Sequence, residues 1–171
     1  ALAVAVHERA QVVAEAVGAY TTGAMKPAEI AIDSGEVKNL LVSRRDGLVM
    51  IDRDGRIRIR HRKELVRGDL NGSSDQTPIS FFADLANFNW MLNAAKEAGA
   101  DLMGGHLLVN HGEIDVGTDS DAMRDKRRAI IEMKNGSFAI VDFSIPISLY
   151  EEAMVLKKIG AQGAVNMDTG Y

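Results

Sequence analysis

A basic run between Arg56 and Arg67 is the densest group of side chains in this sequence that could bind an anion. It holds seven basic residues: Arg56, Arg58, Arg60, His61, Arg62, Lys63 and Arg67. One interpretation is an anion-binding strip. The other is the solvated face of a strand, because basic and apolar residues alternate with the period of two that a half-buried strand shows. The alternation favours the solvated face.

Two histidines raise the question of a metal site. His106 and His111 could bind a metal with Asp101 or Glu113 as a third ligand, but no recognised ligand spacing is present. His106 is either a proton donor near neutral pH or a hydrogen-bonded strand histidine, and the second is favoured. The acidic segment 119–125 lacks the central glycine and final glutamate of a calcium loop, so a solvated loop is expected. We predict neither a metal nor a cofactor.

Composition narrows the class of protein further. A chain of 171 residues with 46% hydrophobic and 26% charged residues is typical of one globular domain with its own core. The net charge of −4 has the wrong sign for binding a phosphate backbone, so nucleic acid is not an expected partner. The absence of cysteine excludes disulfides, thiol nucleophiles and cysteine zinc sites. No window holds the roughly 18 apolar residues of a membrane span. An N-terminal alanine indicates either a trimmed methionine or a processed piece of a longer protein.

The periodicity of apolar residues predicts α+β architecture: a mixed, largely antiparallel sheet with hairpins packed against two or three helices. Helices are predicted over residues 7–17, in the second half of 79–99, and from the capping box of Ser148 and Glu151 to Gly160. Strands and hairpins are predicted within 28–41, 48–60, 102–114, 128–143 and 163–168. The polar segment 68–78 is expected to be a long loop.

The second half of the chain resembles the phosphodiester glycosidase family in the order of its motifs. A Gly-Gly pair precedes a Leu-Leu-Val strand (104–109), a Lys-Arg-Arg-Ala-Ile-Ile strand follows (126–131), and a helix leads into Ala-Val-Asn-Met-Asp-Thr-Gly (164–170). The resemblance covers about residues 100–171, and weakly Gly18–Tyr20 and the Asp33-Ser-Gly35 turn. It implies one glycosidase-like domain over 1–171, truncated at its C-terminus before a further family strand.

The resemblance implies roles for individual residues. Arg127 would hold the phosphate, because its guanidinium pairs bidentately with two oxygens. Asp168 would stabilise the oxocarbenium-like sugar or attack it, and His106 is added as a candidate catalytic residue. The substrate-binding candidates are Asn166, Gly104, Gly105, Gly170 and Tyr20.

Two functions stay open at this point. One is a hydrolase that cleaves a sugar-1-phosphodiester. The other is an inactive binding or structural module of the same fold in a larger assembly, such as a cell envelope or a virion. The second gains from Thr169 and Tyr171, which stand where the family has two of the three glycines that follow its aspartate. Asn166 and Asp168 themselves could be turn residues bonded to backbone.

Partners and location follow only from the resemblance. A carbohydrate or sugar phosphate is the expected ligand, and an extracytoplasmic or virion-associated location is favoured. The missing family strand would leave an open sheet edge after Tyr171, so oligomerisation or assembly is predicted.

Overall fold

The fold comes from a computed structural model. The residues it describes are 20, 22, 26–40, 45–52, 55–79, 85–118 and 122–167. The helix predicted over 7–17 lies outside this part of the chain. None of the helices within it has the length and apolar character needed to cross a membrane.

The described residues form nine strands and three helices, which confirms the predicted α+β class and its mostly antiparallel sheet. The strands are β1 (Ala31–Asp33), β2 (Glu36–Asn39), β3 (Gly47–Ile51), β4 (Ile57–His61), β5 (Asp101–Asn110), β6 (Glu113–Ile114), β7 (Asp125–Met133), β8 (Phe138–Ile147) and β9 (Ala161–Met167). The helices are α1 (Arg67–Asn71), α2 (Leu85–Ala98) and α3 (Leu149–Lys158).

Local sequence accounts for several of these boundaries. The turn between β5 and β6 has positive φ at both central residues, His111 (50°) and Gly112 (80°), the geometry that suits a tight hairpin. Helix α3 begins at the predicted capping box. There the Ser148 hydroxyl accepts from the Glu151 amide at 3.1 Å, and the Glu151 carboxylate accepts from the Ser148 amide at 2.9 Å. One expectation is wrong in part: residues 68–71 of the loop predicted over 68–78 belong to helix α1, because Leu70 is buried in the core.

The main path through the sheet runs β2-β1-β5-β9-β7-β8, and the neighbouring strands along it pair antiparallel. Strand β9 lies between β5 and β7, so the open edge expected next to the last strand is not there. Among the described strands, β2 and β8 end the path instead. Pairing of another chain with this sheet stays a prediction, and β2 and β8 are the ends of the path at which it would occur.

Strand β5 changes partners at the glycine pair. Its first half pairs with β1 and β3, up to Gly105 opposite Gly47, and its second half pairs with β9 from His106 onward. A Cβ on Gly105 would lie 2.6 Å from Val165 Cγ1 and 2.7 Å from the Asn166 carbonyl oxygen. Glycine at this position therefore lets β9 approach the backbone of β5 closely.

Helix α3 covers one face of the sheet where β5, β9 and β7 lie side by side. Leu108, Ala129 and Ala164 on three neighbouring strands pack against Ala153 and Leu156 of the helix. Val165 and Ile130 point the other way, into a separate cluster with Ile59 of β4. The core under α3 is close-packed, and the strands that build it continue past it into the candidate site.

Candidate functional site

Three of the predicted site residues share the sheet face that carries α3. His106 lies directly opposite Asn166, and Asn166 lies directly opposite Ala129 of β7. Residues directly opposite each other in an antiparallel pair point to the same face, as do residues two apart along a strand. Arg127 is two residues from Ala129 and therefore joins His106 and Asn166. The structure thus brings together side chains that are far apart in sequence.

Tyr20 adds a fourth predicted residue to this group. The Asn166 side-chain amide donates a hydrogen bond to the Tyr20 hydroxyl, and it also donates to the Met167 carbonyl at 3.2 Å. The Tyr20 ring meets the His106 ring edge to face, with centroids 5.9 Å apart and planes at 88°. Asn166 is 2% exposed, and within the described residues its Oδ1 has no hydrogen-bond donor. A buried acceptor left without a donor is uncommon in proteins.

Two further members of the site, Arg45 and Glu29, were not predicted. The Arg45 Nε donates to His106 Nε2 at 3.0 Å, its guanidinium forms an ion pair with Glu29, and the same guanidinium stacks 4.2 Å from the Tyr20 ring centroid. Glu29 is 2% exposed and lies against Gly104, where a Cβ would come within 3.1 Å of the Glu29 Cβ. Gly104 therefore makes room for the carboxylate that holds Arg45.

His106 is neutral at physiological pH. Burial, followed by the nearby Arg45 guanidinium, lowers its pKa to about 4; Glu29 acts in the opposite direction, and Arg127 lowers the pKa further. The unprotonated Nε2 accepts the hydrogen bond from Arg45. These contacts favour the hydrogen-bonded strand histidine over the proton donor, the two alternatives that the sequence left open.

Arg127 and its neighbour Arg128 have different surroundings, as expected of adjacent strand residues. Arg127 donates to the backbone carbonyls of Ile147 (3.2 Å) and Met123 (3.0 Å). Arg128 points to the other face and forms an ion pair with Asp142 at 2.6 Å. Within the described residues, no carboxylate lies within ion-pair distance of Arg127. A half-buried guanidinium that lacks a carboxylate partner suits a phosphate ligand.

A buried glutamate completes the site. Glu152 of α3 is 0% exposed, and neither carboxyl oxygen has a hydrogen-bond partner within the described residues. Burial raises the pKa of Glu152 to about 8, and the charge of Arg127 opposes that rise. The carboxyl therefore keeps its proton at neutral pH. One signal pointed to this burial: position 152 falls on the apolar stripe of α3, three residues after Leu149 and four before Leu156.

The remaining predicted residues divide into two groups. Gly104 and Gly105 are explained by the close packing of Glu29 and β9. Asp168 and Gly170 lie outside the described residues, and so do positions 119–121 of the acidic segment. The described residues contain no cluster of three or more histidine, aspartate or glutamate side chains that could hold a metal.

The basic run lies elsewhere. Arg58 and Arg60 of β4 line an open cavity of about 630 Å³, but each has a carboxylate nearby. Arg58 is 3.8 Å from Asp52, and Arg60 is 3.1 Å from Asp69. This pairing agrees with the interpretation of β4 as a half-buried strand with a polar face, and it leaves Arg127 as the better candidate for an anion site.

Comparison with known proteins gives a structural likeness and no match in sequence. No family model matches the chain, and no curated protein matches it. The fold is similar to the catalytic domain of zebrafish N-acetylglucosamine-1-phosphodiester alpha-N-acetylglucosaminidase, auto-inhibited by its pro-peptide. That match has a TM-score of 0.57 and 16% identity, and covers 90% of this chain and 50% of the other.

A hypothetical protein from Synechocystis is also similar in fold, with a TM-score of 0.51 and 15% identity over 90% of this chain and 45% of that one. At such low identities the likeness concerns the fold alone. The chain spans about half the length of the solved structures that it matches.

Proposed function

We propose that this domain hydrolyses a sugar-1-phosphodiester at the cluster formed by Arg127, His106, Asn166 and Tyr20. One observation carries the proposal: Arg127, without a carboxylate partner in the described part of the chain, shares a sheet face with two polar residues of β5 and β9. The likeness in fold to a glycosidase catalytic domain supports the same reaction class. The sequence of β9 leads directly to Asp168.

In the proposed reaction the bond between the anomeric carbon and the phosphate oxygen breaks. The bonding electron pair leaves with the phosphate monoester, whose charge the Arg127 guanidinium compensates. The Asp168 carboxylate stabilises or attacks the electron-poor anomeric carbon, and a water molecule supplies the oxygen of the released sugar. No strong general acid is needed, because a phosphate ester is already a good leaving group.

The other residues serve binding. Asn166 and Tyr20 are assigned to the sugar hydroxyls, since the unpartnered Asn166 Oδ1 can accept a hydrogen bond from a hydroxyl donor. His106 contributes as a neutral acceptor that orients Arg45. Gly104, Gly105 and Gly170 are assigned to the close approach of backbone to ligand or neighbouring strand.

The proposal is tested by incubating the 171-residue chain with an α-sugar-1-phosphodiester and measuring free sugar. We expect turnover that falls at least about a hundredfold in Arg127→Gln and in Asp168→Asn, because each removes charge stabilisation at the reacting bond. Arg128→Gln is the matched control, since it removes the adjacent guanidinium from the opposite face and should retain turnover. Equal losses in Arg127→Gln and Arg128→Gln would contradict the assignment.

A binding module without turnover is the second candidate. Two observations favour it: the neutral, already hydrogen-bonded His106 provides no proton, and Thr169 and Tyr171 replace two of the three glycines of the family motif. In that case the chain binds a sugar-1-phosphate, measured by calorimetry, with an affinity that depends on Arg127, while no sugar is released from the diester.

A further inference from the structure

An acidic and a basic side chain, Glu152 and Arg127, lie at the start of helix α3. Arg127 reaches toward the helix and donates to the carbonyl of Ile147, just before the helix begins. Glu152 lies in the first turn of the helix and is fully buried. The two groups are close enough for the Arg127 charge to act on the Glu152 carboxyl, yet no hydrogen bond joins them.

The charges around Glu152 come from four strands that pack against α3. Strand β5 contributes His106, which is neutral, and β9 contributes the uncharged Asn166. Strand β6 contributes Glu113, which is exposed and forms an ion pair with Lys157 at 2.5 Å. Strand β7 contributes Arg127. Of the other cations nearby, Arg124 pairs with Glu151 at 2.8 Å and Arg45 pairs with Glu29. Arg127 is the described cation whose charge acts on the Glu152 carboxyl.

We infer that Glu152 is a positioning residue that controls whether the Arg127 guanidinium is available to an anion. The protonated carboxyl leaves the guanidinium to a phosphate ester, and the ionised carboxylate draws the guanidinium to itself. This inference rests on the proposed function, because it takes Arg127 as the anion-binding residue of that site.

Burial makes the two states mutually exclusive. A carboxylate without access to water needs a positive partner or several hydrogen-bond donors, and Arg127 supplies the guanidinium whose charge acts on Glu152. An ionised Glu152 therefore competes with the ligand for the same positive charge. In the structure both carboxyl oxygens lack a partner within the described residues and the guanidinium is directed at backbone carbonyls, which is the arrangement expected of a protonated Glu152.

The test measures the affinity for sulfate at pH values on either side of about 8, the pKa that burial gives Glu152. Sulfate is the probe because its own charge stays constant over this range, unlike that of a phosphate monoester. Calorimetric titrations of the full chain near pH 6 and near pH 9.5 should show at least about a tenfold weakening at the higher pH. In Glu152→Gln, whose amide cannot ionise, the ratio of the two dissociation constants should fall to within about twofold.

Two further variants separate this inference from the proposed function. Glu113→Gln removes an exposed glutamate from another element that packs on α3, and it should keep the wild-type pH dependence. Arg127→Gln should lose sulfate binding at both pH values. If sulfate binding needs Arg127 but varies equally with pH in wild type and Glu152→Gln, the inference about Glu152 is wrong and the anion site stands.

If Arg127→Gln binds sulfate as the wild type does, or if the wild type binds none, the anion site itself is wrong and both proposals fall. Far-ultraviolet circular dichroism of each variant at both pH values confirms that the fold is intact. Should Glu152→Gln fail to fold, Glu152→Met offers a second uncharged side chain of similar length, for which the same loss of pH dependence is expected.

Discussion

The two ends of the sheet face beneath α3 are built by the same strands and yet have opposite character. At one end Leu108, Ala129 and Ala164 pack against Leu156 in a dry core. At the other end each strand carries a polar residue two positions away: His106, Arg127 and Asn166. On the helix, Glu152 lies one turn before Leu156. The backbone pairing is antiparallel throughout. Core and site positions therefore lie only two residues apart along each strand and one turn apart along the helix, and they differ in side chain rather than in backbone pairing.

The apolar end should respond to mutation as ordinary core does. Leu156 is fully buried, so Leu156→Ala should lower the free energy of unfolding by about 2–5 kcal/mol, through lost burial and the cavity it leaves. The loss should be the same at pH 6 and pH 8, because no ionisable group is involved. Urea denaturation at both pH values measures it.

Val155→Ala, on the exposed side of the same helix, is the control and should change stability by at most about 0.5 kcal/mol. A pH-dependent loss in Leu156→Ala would show that the two ends are energetically coupled, which would break the distinction between them.

The polar end should respond to pH instead. Glu152 has a pKa near 8 in the folded protein against 4.5 when unfolded, so the folded state holds the extra proton between these values and stability falls as pH rises. His106, with about 4 folded against 6.5 unfolded, acts in the opposite sense over its own range. The two effects oppose each other up to about pH 6.5, above which the Glu152 effect remains.

We therefore expect the wild-type free energy of unfolding to fall by about 2 kcal/mol between pH 6.5 and 8 owing to Glu152. Glu152→Gln should abolish that fall, and it should uncover a loss of stability toward acid as His106 becomes protonated in the unfolded chain. Urea denaturation across the pH range measures both the fall in stability above pH 6.5 and the loss toward acid. A slope that survives unchanged in Glu152→Gln would mean that another group titrates here.

The strands and helices that build the apolar core were predicted better from the sequence than the contacts of the polar site. Periodicity and turn residues were sufficient for β5, the β7–β8 hairpin, α2 and α3, since a buried stripe and a glycine turn are local signals. Helix α1 was missed because its burial depends on Leu70 reaching a core that distant elements build. The sheet order, with β9 between β5 and β7, is likewise set by long-range pairing.

The sequence predicted the site residues on the strands, but it did not predict Arg45 and Glu29, which contact them. Arg127 and Asn166 could be named from the order of the motifs and His106 from the chemistry of its side chain, and strand alternation then places the three on one face. Arg45 and Glu29 could not be named, because their roles arise from contacts across 61 and 16 residues of sequence. Glu152 had a local signal, a charged residue on the apolar stripe of a helix, and such a residue is a reason to look for a site beneath that helix.

The smallest change in stability is expected for Arg128→Gln. Arg128 is the neighbour of Arg127 in β7 and points to the opposite face of the sheet. Its guanidinium forms an ion pair with Asp142, which is 61% exposed, on the side of β7 away from α3. Since exposed ion pairs contribute little, Arg128→Gln should lower the free energy of unfolding by at most about 1 kcal/mol and should leave the slope above pH 6.5 unchanged. Urea denaturation at pH 6.5 and 8 measures both quantities. A change in that slope would place Arg128, rather than Arg127, near Glu152, and the alternation of faces on β7 that defines the site would be refuted.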